Sequence, residues 1–236
     1  MTRTFLLVAL GLVACSAGPV DRPPADDVGV LFVGNSLTYT HDLPEMVKAL
    51  VPTLDGVPVR VGAIALPNVS LEDHWGRGDV QAELASGAWD VVVMQQGPSS
   101  LPQNQAHLAY WAGEFAALAR SEGVQPALLG VWPPEGSEAV VDAVITAYAN
   151  AAAQAEADLF PAGAAWKAAR AADTADPYGP DRFHPSPAGS YLAALTVAGG
   201  LTDASTVGLP APAGLDAATV RALQGHADAA LDAVDG

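Results

Sequence analysis

The chain has 236 residues, of which 50% are hydrophobic and 15% charged, so it can bury the core of one ordinary domain. Ten Lys and Arg against 26 Asp and Glu give a net charge of −16, which excludes the basic surface that nucleic-acid binding requires. A single cysteine excludes both an internal disulfide framework and a cysteine-based zinc site.

The first 15 residues have the features of a secretory leader. Arg3 supplies the positive start, and residues 5–13 form an apolar core too short to span a membrane. The run ends in Leu-Val-Ala-Cys at Cys15, which resembles the lipobox of bacterial lipoproteins at all four positions. By this resemblance Cys15 becomes the first mature residue and carries the lipid. The alternative is an ordinary cleaved signal peptide with an incidental cysteine. Residues 16–27 are proline-rich and polar, which favours a flexible, extended tether.

The rest of the chain, residues 28–236, alternates between predicted strands and predicted helices in a single domain. Five apolar runs predict strands: residues 28–33, 57–65, 89–98, 125–131 and 157–160. Amphipathic or alanine-rich segments predict helices: residues 43–50, 79–86, 105–121, a segment from 137, a segment after 160, 187–198 and 215–234. Pro58 indicates that the second strand lies at an edge, whereas the continuous valines of the third indicate a central strand. The alternation predicts an α/β fold, a parallel sheet with helices on both faces.

A serine follows the first predicted strand at the position where open α/β sheets bind ligands. Gly34 and Asn35, which accept unusual backbone angles, end the strand and turn the chain, and Ser36 follows at once. A serine at such a turn is either a nucleophile or a turn and helix-capping residue. These neighbouring residues alone do not distinguish the two roles.

An aspartate and a histidine three residues apart form the second informative stretch. Asp181 and His184 come after the fifth strand and just before a helix that Pro187 can begin. A carboxylate at this spacing can hold one imidazole nitrogen, which leaves the other nitrogen free to take a proton from a hydroxyl. Ser36, His184 and Asp181 are therefore the candidate nucleophile, general base and orienting carboxylate, all at sheet ends where they can converge.

These two stretches resemble the first and last sequence blocks of the SGNH (GDSL-like) hydrolases. Residues 32–38, Phe-Val-Gly-Asn-Ser-Leu-Thr, resemble the first block, with Asn35 where the commoner form has Asp. The last block is resembled by Asp181, His184, Pro185, Gly189, Tyr191 and Leu192. The resemblance implies a flavodoxin-like α/β/α sandwich with a five-stranded parallel sheet. It also implies an esterase, lipase, carbohydrate deacetylase or acyltransferase that works without metal or cofactor.

The same resemblance implies an oxyanion hole with three hydrogen-bond donors. The family uses the amide of the serine, here Ser36, a glycine amide after the second strand and an asparagine side chain after the third. Asn68 lies in the region of the glycine and tolerates left-handed angles, so its N–H is expected to replace the glycine's. The family's Gly-x-Asn becomes residues 97–99, Gly-Pro-Ser, without the asparagine. Gln95 or Gln96 is therefore expected to donate instead, and Gln95 is preferred.

The sequence thus predicts an exported serine hydrolase, lipid-anchored or secreted, that cleaves carboxylic esters through an acyl-enzyme intermediate. Small acyl groups on a carbohydrate are the preferred substrate, because the chain shows no apolar lid segment. One alternative is a non-catalytic surface lipoprotein of the same fold that binds glycan or protein, and another is an acyltransferase. No His, Asp and Glu residues have metal-ligand spacing. We therefore expect no metal. The resemblance implies no cofactor and a small-molecule or carbohydrate ester as ligand, and the leader implies membrane contact only through the lipid.

Overall fold

A computed structural model describes residues 27–235 of the chain. The predicted signal peptide, the predicted lipidation site Cys15 and all of the predicted tether except Asp27 lie outside the described residues. Within residues 27–235, no helix is both long enough and apolar enough to cross a membrane.

Five strands form one parallel sheet, as the sequence predicts. They are β1 (Val28–Gly34), β2 (Val59–Ala65), β3 (Val91–Met94), β4 (Gln125–Leu129) and β5 (Asp158–Phe160). Their order across the sheet is β2-β1-β3-β4-β5, with every neighbouring pair parallel, which is the flavodoxin-like order. The edge position of the strand after Pro58 and the central position of β3 are both confirmed.

Helices cover both faces of the sheet and complete the three-layer sandwich. They are α1 (Ser36–Tyr39), α2 (Leu43–Leu50), α3 (Pro52–Asp55), α4 (Leu71–Arg77), α5 (Asp79–Leu84), α6 (Pro102–Ser121), α7 (Val141–Ala155), α8 (Ala162–Ala171), α9 (Pro187–Thr202) and α10 (Ala217–Asp235). Helices α4 to α7 pack among themselves, and helices α2, α8, α9 and α10 form the other group. Short 3-10 turns cover Thr40–Asp42 and Glu138–Val140.

The structure departs from the predicted helices at two places, each for a local reason. Residues 66–75 are predicted as a loop, but α4 begins at Leu71, because Ser70 and Asp73 form a reciprocal capping box at its N-terminus. Helix α6 begins at Pro102, earlier than predicted, since proline is favoured in the first helical turn, where its missing N–H has no cost. Both differences lie beside the carboxyl edge of the sheet.

The connection pattern places the topological switch point of the sheet between two central strands, β1 and β3. Strand β1 pairs with β2 on one side and with β3 on the other, so the loops that follow β1 and β3 diverge at this point. Residues 30–33 of β1 are almost fully buried, which makes the strand a fixed base for the residues after it. Ser36 follows β1, and Gln95 follows β3, with the Gln95 N–H donating to the Val33 carbonyl at 2.8 Å.

Candidate active site

The turn after β1 is held by a close approach of side chains. A Cβ on Gly34 would lie 2.3 Å from Gln95 Oε1 and 2.4 Å from Thr38 Oγ1, so only glycine fits there. Asn35 is extended, with φ −128°, and caps α1 by accepting from the Leu37 N–H at 3.1 Å. Gly34 is therefore needed because a side chain would not fit, and Asn35 is needed as a helix cap. Neither residue has the unusual backbone angles that the sequence suggested. Helix α1 consequently begins at Ser36.

The buried side chain of Gln95 makes several hydrogen bonds to this turn. Its Oε1 accepts from the Asn35 N–H at 3.0 Å and from the Thr38 hydroxyl at 2.9 Å. Its Nε2 donates to Asn35 Oδ1 at 2.9 Å and to the Gln96 carbonyl at 2.7 Å. Both side-chain N–H groups of Gln95 are thus occupied, and the residue is only 1% exposed. The expectation that Gln95 donates to an oxyanion needs correction, because this geometry gives it a bracing role instead.

Gln96, the alternative oxyanion donor considered from the sequence, is also occupied by protein groups. Its Nε2 lies 3.2 Å from Ser99 Oγ, and its Oε1 accepts from the Leu71 N–H at 3.3 Å. Its backbone N–H and carbonyl both bind the Tyr148 hydroxyl, at 3.2 and 2.6 Å. Burial raises the pKa of the Tyr148 phenol, so it stays protonated and able to donate. The loop after β3 is therefore rigidly held.

The structure brings Ser36, His184 and Asp181 together across 148 residues of sequence. Ser36 Oγ lies 2.8 Å from His184 Nε2, and His184 Nδ1 is hydrogen-bonded to Asp181 Oδ2. Asp181 Oδ1 also accepts from the backbone N–H groups of Phe183 and His184, at 3.1 and 3.0 Å. Ser36 is nearly buried, whereas the side chains of His184 and Asp181 are 36% and 53% exposed.

The charge on Asp181 determines which imidazole nitrogen carries the proton. The hydrogen bond with His184, followed by that from the Phe183 N–H, lowers the pKa of Asp181 to about 2. Asp181 is therefore a carboxylate at neutral pH and accepts the Nδ1 proton of His184. The His184 Nε2 then presents a lone pair to the Ser36 hydroxyl, which is the arrangement needed for general-base activation of a serine.

The backbone N–H groups of Ser36, Asn68 and Gly97, in the segments that follow β1, β2 and β3, have no acceptor within residues 27–235. Asn68 has φ 57°, the left-handed conformation that its sequence position suggested. Its loop is tethered to the serine turn, because Asn35 Nδ2 donates to the Val69 carbonyl at 3.2 Å. Unpaired amides beside a nucleophile are the usual components of an oxyanion hole.

Two histidines to which the sequence assigned no definite role support the site. His74 is completely buried, and its Nε2–H donates to the Gly34 carbonyl at 2.8 Å, behind the serine turn. His41, in the left-handed region with φ 56°, donates from Nε2 to the Pro185 carbonyl at 3.1 Å, beside His184. The Ser70–Asp73 capping signature could have revealed α4 and placed His74 on its inner face. Nothing local in the sequence indicates the contact of His41.

Within residues 27–235, no three His, Cys, Asp or Glu residues are grouped as metal ligands would be.

Solved structures with the same fold include several hydrolases. A candidate SGNH hydrolase from Slackia heliotrinireducens is 31% identical, with a TM-score of 0.61, and the match covers 74% of this chain and 99% of that one. A DUF4886 family protein from Bacteroides uniformis is 21% identical, with a TM-score of 0.73, over 89% of this chain and 96% of that one. A variant of Axe2, an acetyl-xylooligosaccharide esterase from Geobacillus stearothermophilus, is 14% identical, with a TM-score of 0.57, over 75% and 93%. No family model and no curated protein matches the chain.

Proposed function

The chain belongs to the SGNH family of esterase-type hydrolases, and from that premise we propose that it cleaves carboxylic esters at Ser36. His184 acts as the general base and Asp181 orients its imidazole. The observation that carries this proposal is the 2.8 Å contact between Ser36 Oγ and His184 Nε2, with the opposite imidazole nitrogen bound to Asp181. Chain segments 148 residues apart thereby complete one proton path.

The reaction follows from this geometry in two halves. Ser36 Oγ attacks the ester carbonyl carbon while its proton passes to His184 Nε2. The tetrahedral oxyanion accepts hydrogen bonds from the N–H groups of Ser36 and Asn68, and the Gly97 N–H takes the place that the sequence assigned to Gln95. The C–O bond to the alcohol then breaks, and His184 returns the proton to the leaving oxygen. Water, deprotonated by His184, releases the acid from the acyl-enzyme in the second half.

We propose an O-acylated carbohydrate as the substrate. Two observations support this choice. The general base and its carboxylate are partly exposed, which leaves room for a bulky, hydrated alcohol portion. One neighbour of the same fold acts on acetylated xylooligosaccharides. An acyltransferase would use the same acyl-enzyme and differ only in the acceptor that attacks it.

Export and lipid anchoring through Cys15 complete the proposal. The sequence supports them, since the lipobox-like residues precede a polar tether that ends where β1 begins at Val28. Metabolic labelling with a fatty-acid analogue in a bacterial host tests this part, with Cys15→Ala as the unlabelled control. Equal labelling of both proteins would contradict the assignment of Cys15.

The catalytic proposal is tested by hydrolysis of p-nitrophenyl acetate and of acetylated xylooligosaccharide. Protein without residues 1–24 is compared with Ser36→Ala and His184→Ala, and with Ser100→Ala and His226→Ala as matched controls. We expect both site variants to lose at least about 10⁴-fold in kcat, and both controls to keep the wild-type rate. Equal rates in wild type and Ser36→Ala, with both folded, would favour the non-catalytic binding protein.

A further inference from the structure

The turn that carries the general base is partly exposed, and its own hydrogen bonds do not locate it relative to Ser36. The Gly179 N–H donates to the His184 carbonyl at 2.7 Å, and Asp181 accepts from two amides of the same turn. These contacts fix the internal shape of the turn. Its distance from Ser36 must be set by contacts with another part of the chain.

Arg182, between the two catalytic candidates in sequence, makes such contacts. Its Nε and Nη2 both donate to the carboxylate of Glu135, and its Nη1 donates to Asp176 at 2.6 Å. Its carbonyl accepts from the Glu135 N–H at 2.9 Å, so the backbone and the side chain of Arg182 both hydrogen-bond Glu135. Arg182 has φ 62°, a conformation that is costly for a residue other than glycine. We call these contacts the Arg182–Glu135 clamp.

The segment that carries Glu135 is itself anchored in the core. Trp132 is fully buried and stacks on Trp166 with ring centroids 3.6 Å apart. The Trp132 indole N–H donates to the Phe183 carbonyl at 3.1 Å, next to Arg182. The Tyr178 hydroxyl donates to the Pro133 carbonyl at 2.8 Å. The loop after β4 is thus a rigid support that contacts the exposed turn at successive residues.

The charges of the clamp are stable around neutral pH. The hydrogen bond from Arg182 holds the pKa of Glu135 below its usual range, and Glu135 raises the pKa of Arg182. Arg170 also lies 3.0 Å from Glu135, so loss of Arg182 would not leave that carboxylate without a cation. Variants at Arg182 should therefore fold.

We propose that Arg182 is a positioning residue. Its bidentate hydrogen bonds to Glu135 hold the turn at the distance from Ser36 at which His184 Nε2 can hydrogen-bond Ser36 Oγ. This inference rests on the proposed esterase function. A guanidinium fork fixes both the distance and the rotation of its partner, whereas a lysine ammonium is a single point charge that fixes neither. A displacement of about 1 Å at a proton-transfer pair can reduce the rate by about 10²-fold.

Kinetics of Arg182→Gln, Arg182→Lys, Glu135→Gln and the double variant Arg182→Gln/Glu135→Gln test the inference. Arg77→Gln is the matched control, because Arg77 is also an exposed, ion-paired arginine, 3.1 Å from Asp79. We expect kcat for p-nitrophenyl acetate to fall about 10- to 100-fold in the clamp variants, Arg182→Lys included, with KM changed less than about twofold. The double variant should lose no more than the worse single variant. Melting temperatures should fall by at most about 4 °C, since exposed ion pairs contribute little to stability.

A crystal structure of Arg182→Gln gives a readout that does not depend on activity. We expect the distance between Ser36 Oγ and His184 Nε2 in this variant to exceed hydrogen-bond distance, with the internal hydrogen bonds of the turn preserved. Wild-type kcat in Arg182→Gln, multiplied losses in the double variant or an unchanged contact in the crystal would overturn it. If wild-type protein hydrolyses no ester at all, the proposed function fails, and the crystal distance still decides the role of Arg182.

Discussion

The two halves of the candidate site are positioned by opposite means. The serine turn is buried and held by uncharged hydrogen bonds, with the Gln95 side chain contributing three of them. The acid–histidine turn is partly exposed and held by charged groups, Asp181 within it and the Arg182–Glu135 clamp beside it. The nucleophile thus depends on the interior of the protein, and the general base depends on its surface.

This difference has energetic consequences. An unsatisfied polar group in the interior costs about 1–3 kcal/mol, so damage to the serine turn should appear as lost stability. Exposed ion pairs contribute little to stability, so damage to the acid–histidine turn should appear mainly as lost rate. Substitutions in the serine turn should therefore mainly lower the melting temperature, and those in the acid–histidine turn should mainly lower kcat.

Apart from substitutions of Ser36 and His184 themselves, Asp181→Asn should have the largest effect on rate. The asparagine can donate to His184 as well as accept from it, which allows the wrong imidazole tautomer, so we expect kcat to fall by about 10²–10⁴-fold. Asp216→Asn is a matched control, because Asp216 also accepts from two amides of its own turn, at 2.9 and 3.0 Å, without a histidine partner. Steady-state kinetics on both variants would contradict this role if they retained equal activity.

Gln95→Leu should instead have its largest effect on stability. It leaves the Asn35 N–H and the Thr38 hydroxyl without their buried acceptor, at a cost of roughly 2–5 kcal/mol. The melting temperature should fall by about 10 °C in thermal unfolding, while Gln125→Leu, at an exposed glutamine, should change it little. A large loss of kcat with an unchanged melting temperature would restore Gln95 as an oxyanion donor.

The smallest expected effect is the pH dependence of the stability that Asp181 contributes. Asp181 has a folded-state pKa of about 2, below its ordinary value of 3.8, so its stabilising effect is complete above about pH 4 and is lost as pH falls towards 2. The difference in melting temperature between wild type and Asp181→Asn should therefore shrink between pH 5 and pH 2. A constant difference over that range would show that Asp181 is not ionised in this contact.

The same contrast explains what the sequence could reveal. Asp181 and His184 are three residues apart, so their contact is a local turn that spacing alone predicts. The parallel sheet follows from the alternation of apolar runs, and Pro58 correctly marks an edge strand. The role of Gln95 depends on partners 57 and 60 residues away, and that of Arg182 on a partner 47 residues away. Such contacts exist only after the sheet has formed, so neither was predictable from residue type and spacing.

Covalent labelling is the most direct test of whether His184 activates Ser36 as a nucleophile. Diethyl p-nitrophenyl phosphate transfers its phosphoryl group to an activated serine, and mass spectrometry of peptides locates the adduct. We expect one adduct per chain, on Ser36, with no labelling of Ser36→Ala and labelling slowed by several orders of magnitude in His184→Ala. An adduct on another residue, or equal labelling rates with and without His184, would contradict it.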